Sequence, residues 1–258
     1  MPEPPRILVS NDDGYASEGI RSLAEALTPL CELWVCAPES EQSAASHAIS
    51  IYRPLRIREV RPRWYAVDGT PTDCSWIGIN HILKDRRPAL VVSGINHGPN
   101  LADDITYSGT VAAAMEASIL GVPAIAMSLA ARGSFDFGPA ARFARALVAS
   151  ALEQTLPSNM LLNVNVPGGV EPDGYVVTRL GKHSYGSEIV EKVDPRGRRY
   201  YWIGGNEYQH EDIPGSDCNV VLRDKRVSVT PLHLDLTHHK MRGEVARWAL
   251  GGFVRHEG

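Results

Sequence analysis

At 258 residues the chain is long enough for one sizeable core, since single cores stop growing near about 250–300 residues. Its 43% hydrophobic and 22% charged content excludes a disordered, collagen-like or coiled-coil chain. A net charge of −4 argues against a partner nucleic-acid polymer, which needs a basic face, yet leaves room for a local anion site.

The opening residues hold no apolar leader-like run, and the longest nearly apolar stretch, Gly121 to Ala131, is too short to cross a bilayer. No secretory signal and no membrane partner are therefore expected. Cys31, Cys36, Cys74 and Cys218 form no CxxC pair and no metal-like cluster. They read as reduced, buried thiols, which points to the cytoplasm.

Arg6-Ile7-Leu8-Val9-Ser10 is a short apolar strand that ends in the turn signal Asn11-Asp12-Asp13-Gly14. Ile20, Leu23, Ala24 and Leu27 then recur at helical spacing, and Pro29 closes the helix. Leu33 to Ala37 is the next strand, stopped by Pro38 before a polar loop. Ala89 to Ser93 is another, followed by a Gly/Asn-rich loop and a helix from Thr110 to Leu120. Ala124 to Ser128 returns as a strand, a helix fits Pro139 to Thr155, and Leu161 to Val166 makes a fifth strand. Apolar strands alternating with helices mean a parallel sheet buried on both faces. The expectation is an α/β fold: a Rossmann-like, three-layer core with a mainly parallel sheet over residues 1–168. Its functional groups belong at the carboxyl ends of strands, beside a topological switch point.

After about Gly168 the rhythm changes. The stretch from Lys182 to Pro214 is polar and rich in Gly, Tyr and charge. Arg226 to Thr230 alternates like a strand with one exposed face, and Arg242 to Phe253 reads as a terminal amphipathic helix. Residues 169–258 thus form an elaboration on the core within one domain, with an extended hairpin and terminal helix used between subunits.

Asp12 and Asp13 leave the first strand where Gly14 lets the chain turn, so both carboxylates can approach one point. Two carboxylates that close repel unless a cation lies between them, and oxygen ligands suit Mg²⁺, Mn²⁺ or Ca²⁺. Taken alone the string is first a turn, because Asn, Asp and Gly are the usual turn formers. The loop after the second strand can carry Ser43 to the same rim, although a lone loop serine is more readily a cap. Asn96 and Asn100 after the third strand offer amide oxygens or tie down a Gly-rich turn. Asp12, Asp13, Ser43 and Asn96 together make an all-oxygen set that fits a hard ion better than zinc.

Ser108-Gly109-Thr110 precedes an alanine-rich helix, where free N–H groups and small residues favour a phosphate; it serves equally as a cap. Neither GxxxxGK[ST] nor GxGxxG is present, which disfavours a P-loop or a dinucleotide fold. His233, His238 and His239, the arginines from Arg53 to Arg63, and His47 have surface or loop readings at least as good. Gly69 to Cys74, with Asp73, reads as a turn feeding a helix.

The string Ile7-Leu8-Val9-Ser10-Asn11-Asp12-Asp13-Gly14 resembles the opening of the SurE family of nucleotidases. Gly69 to Cys74, Val92 to Asn96, Tyr107 to Val111 and Ser228 to Leu232 resemble further blocks of it, in the same order. The resemblance implies a phosphomonoesterase acting on nucleoside 5′- and 3′-monophosphates, sometimes on short polyphosphate, with one divalent ion (Mg²⁺ or Mn²⁺, with Ca²⁺ a third option). It places metal ligands on Asp12, Asp13, Ser43 and Asn96, and phosphate contacts on Asn96, Ser108, Gly109 and Thr110. It also implies homodimers or homotetramers built by exchange of C-terminal segments. The chain departs from the family in having Ala44, Ala45 and Ser46 where glycines are usual, His97 where Arg is frequent, and Pro99 where a small residue is common. Asp12 and Asp13 are the catalytic candidates, with Asp12 orienting or deprotonating the attacking water. The rivals are a phosphatase using an aspartyl-phosphate, which needs a DxD pair rather than adjacent aspartates, and a nucleotide-binding module without turnover.

Overall fold

The computed structural model describes residues 3–131, 133–184, 189–203 and 209–248. In chain order the elements are β1 (Arg6–Ser10), α1 (Glu18–Leu27), β2 (Glu32–Pro38), β3 (Ile57–Arg61), β4 (Trp64–Val67) and α2 (Pro71–Ile77). They continue with β5 (Leu90–His97), α3 (Gly109–Ile119), β6 (Ala124–Ala130), α4 (Gly138–Leu152) and β7 (Leu161–Pro167). The elaboration supplies β8 (Tyr175–Val177), β9 (His183–Ser184), β10 (Ile189–Val193), β11 (Arg199–Ile203), β12 (Gln209–His210), β13 (Val227–Pro231) and α5 (His239–Val245).

The main sheet has nine strands in the order β3-β4-β2-β1-β5-β6-β7-β13-β8. Its centre, from β4 to β7, is wholly parallel. β3 is antiparallel at one edge, and β13 runs antiparallel to β7 with β8 parallel beside it. Alternate residues of β1 point to opposite faces. Ile7 and Val9 pack with Ile20 and Leu23 of α1 and Ala144 and Val148 of α4, whereas Leu8 packs with Cys74 of α2 and Val111 and Ala114 of α3. These two apolar clusters make the three layers that the strand–helix alternation requires.

Four local features differ from the sequence pattern. The hairpin β3–β4 carries no alternation signal because β3 is an edge strand exposed at nearly every position, with charges that blunt the edge. β5 continues to His97 rather than ending at Ser93, past a register shift against β6 between Ser93 and Asn96. β13 was expected to expose one face, yet Val227 to Thr230 are all buried. There the Thr178 and Thr230 hydroxyls bond at 2.7 Å, and the turn Asn219–Arg223 packs against the strand. The terminal helix begins earlier than its apolar pattern suggests, at His239, and is exposed along its length; the part of that pattern from Ala249 lies outside the described residues.

The Gly69–Cys74 segment is architecture. Thr70 accepts from the Asp73 amide at 3.1 Å while Asp73 Oδ2 accepts from the Thr70 amide at 2.9 Å, a reciprocal cap for α2. Thr70 also donates to the Ala48 carbonyl, and Asp73 Oδ1 accepts from the Ser50 amide, so the cap anchors the loop after β2. Thr70→Ala is expected to lower stability by about 1–2 kcal/mol, read from the urea midpoint.

Candidate active site

The chain leaves β1 toward β2 on one side and returns to β5 on the other, so a crevice opens between the carboxyl ends of β1 and β5. Asn11 is buried there; its Nδ2 donates to the Gly14 carbonyl at 3.0 Å and to Ser17 Oγ at 2.9 Å, which ties the turn shut. Gly14 has φ +94°, and this reversal turns the chain away after the two aspartates.

Asp12 is 5% exposed. Its Oδ1 accepts a short hydrogen bond from the Thr110 hydroxyl. Burial pushes the Asp12 carboxyl up to about 6; the Thr110 bond opposes that rise and the neighbouring Asp13 charge adds to it. Asp13 turns to β5, where its Oδ2 lies 2.9 Å from His97 Nδ1 and accepts from the His97 amide at 3.4 Å. The His97 ring is wedged edge-on between Phe135 and Phe137, with centroids 5.0 and 4.8 Å away. Asn96 donates Nδ2 to the Gly98 carbonyl at 2.9 Å, which leaves Oδ1 as its acceptor end.

Ser43 reaches the crevice on a loop bonded at several points. The Gln42 amide donates to the Asp12 carbonyl at 2.8 Å, the Ser46 amide to the Tyr107 carbonyl at 3.1 Å, and His47 Nε2 lies 2.8 Å from Glu116 Oε2 on α3. Ala44 and Ser46 hold φ of 57° and 52°, so the loop keeps a left-handed path at two of the positions where the family usually has glycines. The Cβ atoms restrict that path without preventing it. Ser43 Oγ donates to Glu41 Oε1 at 2.7 Å.

Ser108 caps α3, accepting from the Val111 amide at 3.1 Å. Gly109 lets the helix tip approach β1: a Cβ there would stand 2.7 Å from Asp12 Cβ. Asp12, Ser43, Asn96 and Ser108 line one cavity of about 230 Å³, with His97, Asn100, Asp104 and Tyr107. Asp13 joins it through His97, whereas Gly109 and Thr110 stand behind Asp12 and are buried.

Three strand ends and a helix tip therefore meet as the residue types suggested. Tyr107 opens the block Tyr107 to Val111 but is not singled out there for a role, and Asp104 carries no motif of its own; its only signal is position, one turn before Ser108. The Asn100 backbone is clamped by Asn165, which accepts from its N–H at 2.8 Å and donates to its carbonyl at 2.9 Å, while Asn100 Nδ2 donates to Ser128 Oγ at 2.8 Å.

The other candidates lie apart from this cavity. Arg53 and Arg56 pair with Asp68, and Arg58 with Glu39, at the exposed sheet edge. His239 pairs with Asp235 and His238 caps α5, while His233 accepts from the Asp235 amide.

The donor set fits a hard cation. The Asp13 charge raises the cost of ionising Asp12, and Ser43 and Asn96 add neutral oxygens to the same crevice. Among the described residues no group of three or more His, Cys, Asp or Glu is placed to hold a metal.

Strand order and this oxygen-lined crevice define a doubly wound α/β protein with a polar crevice at its switch point. Residues 7–187 match the family model described as survival protein SurE, and the chain belongs to that family. A 5′-nucleotidase SurE of Myxococcus xanthus (strain DK1622) is 71% identical over 255 residues, covering 99% of this chain and 97% of its own. That of Geobacter sulfurreducens is 52% identical, covering 95% and 94% respectively. The crystal structure of the SurE protein from Aquifex aeolicus aligns with a TM-score of 0.84 and 43% identity, over 93% of this chain and 98% of that one.

Proposed function

We propose that this chain is a 5′-nucleotidase that hydrolyses nucleoside 5′- and 3′-monophosphates with the help of one divalent ion, Mg²⁺ or Mn²⁺, with Ca²⁺ a third candidate. The reading rests on one convergence: Asp12, Ser43 and Asn96 line a small cavity at the tip of α3, with Asp13 beside Asp12 and held by His97 of the same lining, in a chain 71% identical to a 5′-nucleotidase SurE. Asp12, Asp13, Ser43 and Asn96 are the residues that would hold the ion. When bound, it supplies charge neutralisation and Lewis-acid polarisation of a phosphoryl oxygen.

The chain's own residues do the rest. Asp12, held by Thr110, orients the attacking water and takes up its proton. Asp13 is fixed by His97 and keeps the second carboxylate beside the phosphate. Asn96 and Ser108, which line the cavity, favour the equatorial oxygens of the transition state over those of the substrate, while Gly109 and Thr110 position Asp12 from behind. Water forms the new P–O bond as the ester P–O bond breaks; the leaving oxygen takes a proton from solvent water, the nucleoside departs, and Asp12 returns its proton to solvent.

The exposed hairpin β10–β11, with Tyr201, Trp202 and Ile203, supports a homodimer or homotetramer. Four cysteines without a disulfide fit a reducing compartment, the cytoplasm. The described residues include no helix long and apolar enough to cross a membrane.

The decisive experiment is phosphate release from AMP and GMP across a metal panel. Release is expected with Mn²⁺ or Mg²⁺, with a loss of about a hundredfold or more in excess chelator and recovery on adding the ion back. Nucleotide binding without release under every metal would overturn the reading.

A further inference from the structure

We propose that His47 is a positioning residue for the ion: held by Glu116 of α3, it fixes the loop that presents Ser43 and so sets how tightly the crevice grips a divalent cation. This role rests on the metal-dependent nucleotidase reading and adds to it a pair of residues that do not line the phosphate cavity.

Glu116 is a carboxylate that packing does not explain. It is the one charged residue of α3, whose sequence from Gly109 to Ile119 is otherwise small, hydroxylic or apolar, and it is only 6% exposed. Burying a carboxylate is unfavourable, and an apolar side chain of similar size would pack there at least as well. Among the described residues its only side-chain partner is His47, whose Nε2 lies 2.8 Å from Oε2. An ionised carboxylate only accepts, so the ring donates. The buried charge is kept for what it orients, and that is His47.

The loop needs such an anchor. Ala44 and Ser46 hold φ of 57° and 52°, a left-handed region that residues with a Cβ enter at a cost. Strained backbone of this kind persists only where its surroundings over-determine it. Before Ser43, the Gln42 amide donates to the Asp12 carbonyl at 2.8 Å. After it, the Ser46 hydroxyl donates to the Thr106 carbonyl at 2.7 Å, and His47 closes on Glu116. The Ser43 hydroxyl itself bonds only within the loop, to Glu41, so the anchors on either side decide where it stands.

One helix carries both holds. Thr110, in the first turn of α3, bonds Asp12, and Glu116 lies less than two turns further along. The His47–Glu116 pair therefore sets the spacing between Asp12 and Ser43, a charged and a neutral oxygen of the same donor set. His47 lines the separate cavity of about 900 Å³, beside Thr106 and Met115, so it acts through the loop and not on the substrate.

The dissociation constant for Mn²⁺ alone, read from the EPR signal of the free ion, tests this without turnover. His47→Ala and Glu116→Met are each expected to weaken Mn²⁺ binding about tenfold, and the double variant no more than either. His47→Gln keeps an N–H for Glu116 and is expected to stay within about threefold of the parent. Urea midpoints in chelator are expected to stay near parental in Glu116→Met, since an apolar side chain replaces a buried charge; affinity and stability then part company. A parental dissociation constant in either single variant, additive losses in the double, or losses that follow the urea midpoints across the set would overturn the assignment. Should Glu116→Met not fold, His47→Ala and His47→Gln decide alone: a parental constant in the first, or an equal loss in both, overturns it. Asp12→Asn is the control. A parent that binds Mn²⁺ no better than Asp12→Asn would refute the metal site itself, an outcome distinct from parental binding in the His47 variants.

Discussion

Asp12→Asn is expected to lower phosphate release from AMP by about 10²–10⁴-fold, the scale of a lost general base, while the fold persists. The metal-free variant should also be more stable than the parent at neutral pH. In the folded parent the Asp12 carboxyl is raised from 3.8 to about 6, mainly by burial, with Thr110 opposing and Asp13 assisting. Between those values the native state binds a proton that the unfolded state has released, so parent stability falls as pH rises through that window. Above the folded value the deficit is complete, about 3 kcal/mol at 1.36 kcal/mol per unit. Asn carries no charge to bury and escapes it. Urea midpoints in chelator should therefore favour the variant near about pH 7.5 and converge below about pH 4, whereas Mn²⁺ should stabilise the parent more than the variant. Equal metal-free midpoints at both pH values would show that no destabilising charge resides at Asp12, and near-parental turnover would show that the ion is held elsewhere.

The second large effect is at Gly109. Its backbone has ordinary helical geometry, so the position is glycine for space alone. An added Cβ would meet Asp12 Cβ at 2.7 Å, Asp12 Oδ2 at 3.0 Å and Pro71 Cγ at 3.0 Å. None of these can retreat easily: Asp12 is bonded to Thr110, and Pro71 is locked in the first turn of α2. Gly109→Ala must push the tip of α3 off β1 and break the Thr110–Asp12 bond. The expected cost is about 1–3 kcal/mol of stability, as for other overpacked sites, with about a hundredfold loss in kcat/KM. Thermal melting alongside AMP kinetics checks both; unchanged kinetics would mean that the helix tip does not position Asp12. Ser108→Ala, which removes the cap without crowding β1, should by comparison cost about 1 kcal/mol of stability.

Much of this molecule is legible in one dimension. The runs Ile7 to Val9, Val91 to Val92 and Ala124 to Met127 are buried on both faces, and only a parallel sheet covered by helices accommodates such runs. The rim residues were legible because each lies at a strand end or helix start, where periodicity stops and a polar residue follows. The edge strand β3 and the strand β8 were not, since exposed strands carry little pattern. β13 misled because Ser228 and Thr230 look like a solvent face, yet the structure buries them and bonds Thr230 to Thr178.

Residue order by itself determined the fold class and the oxygen donors, because apolar periodicity and side-chain chemistry are local properties. Only the tertiary structure decided how those donors are tuned: that Asp12 is desolvated and held by Thr110, that Asp13 is bound by a His97 wedged between two phenylalanines, and that Ser43 is delivered by a loop stitched to α2 and α3. It also brought His183 and Leu222 of the elaboration into one cavity lining with His97, more than 80 residues before them in sequence. Burial and approach are relations between distant segments, and they exist only once the chain has closed on itself.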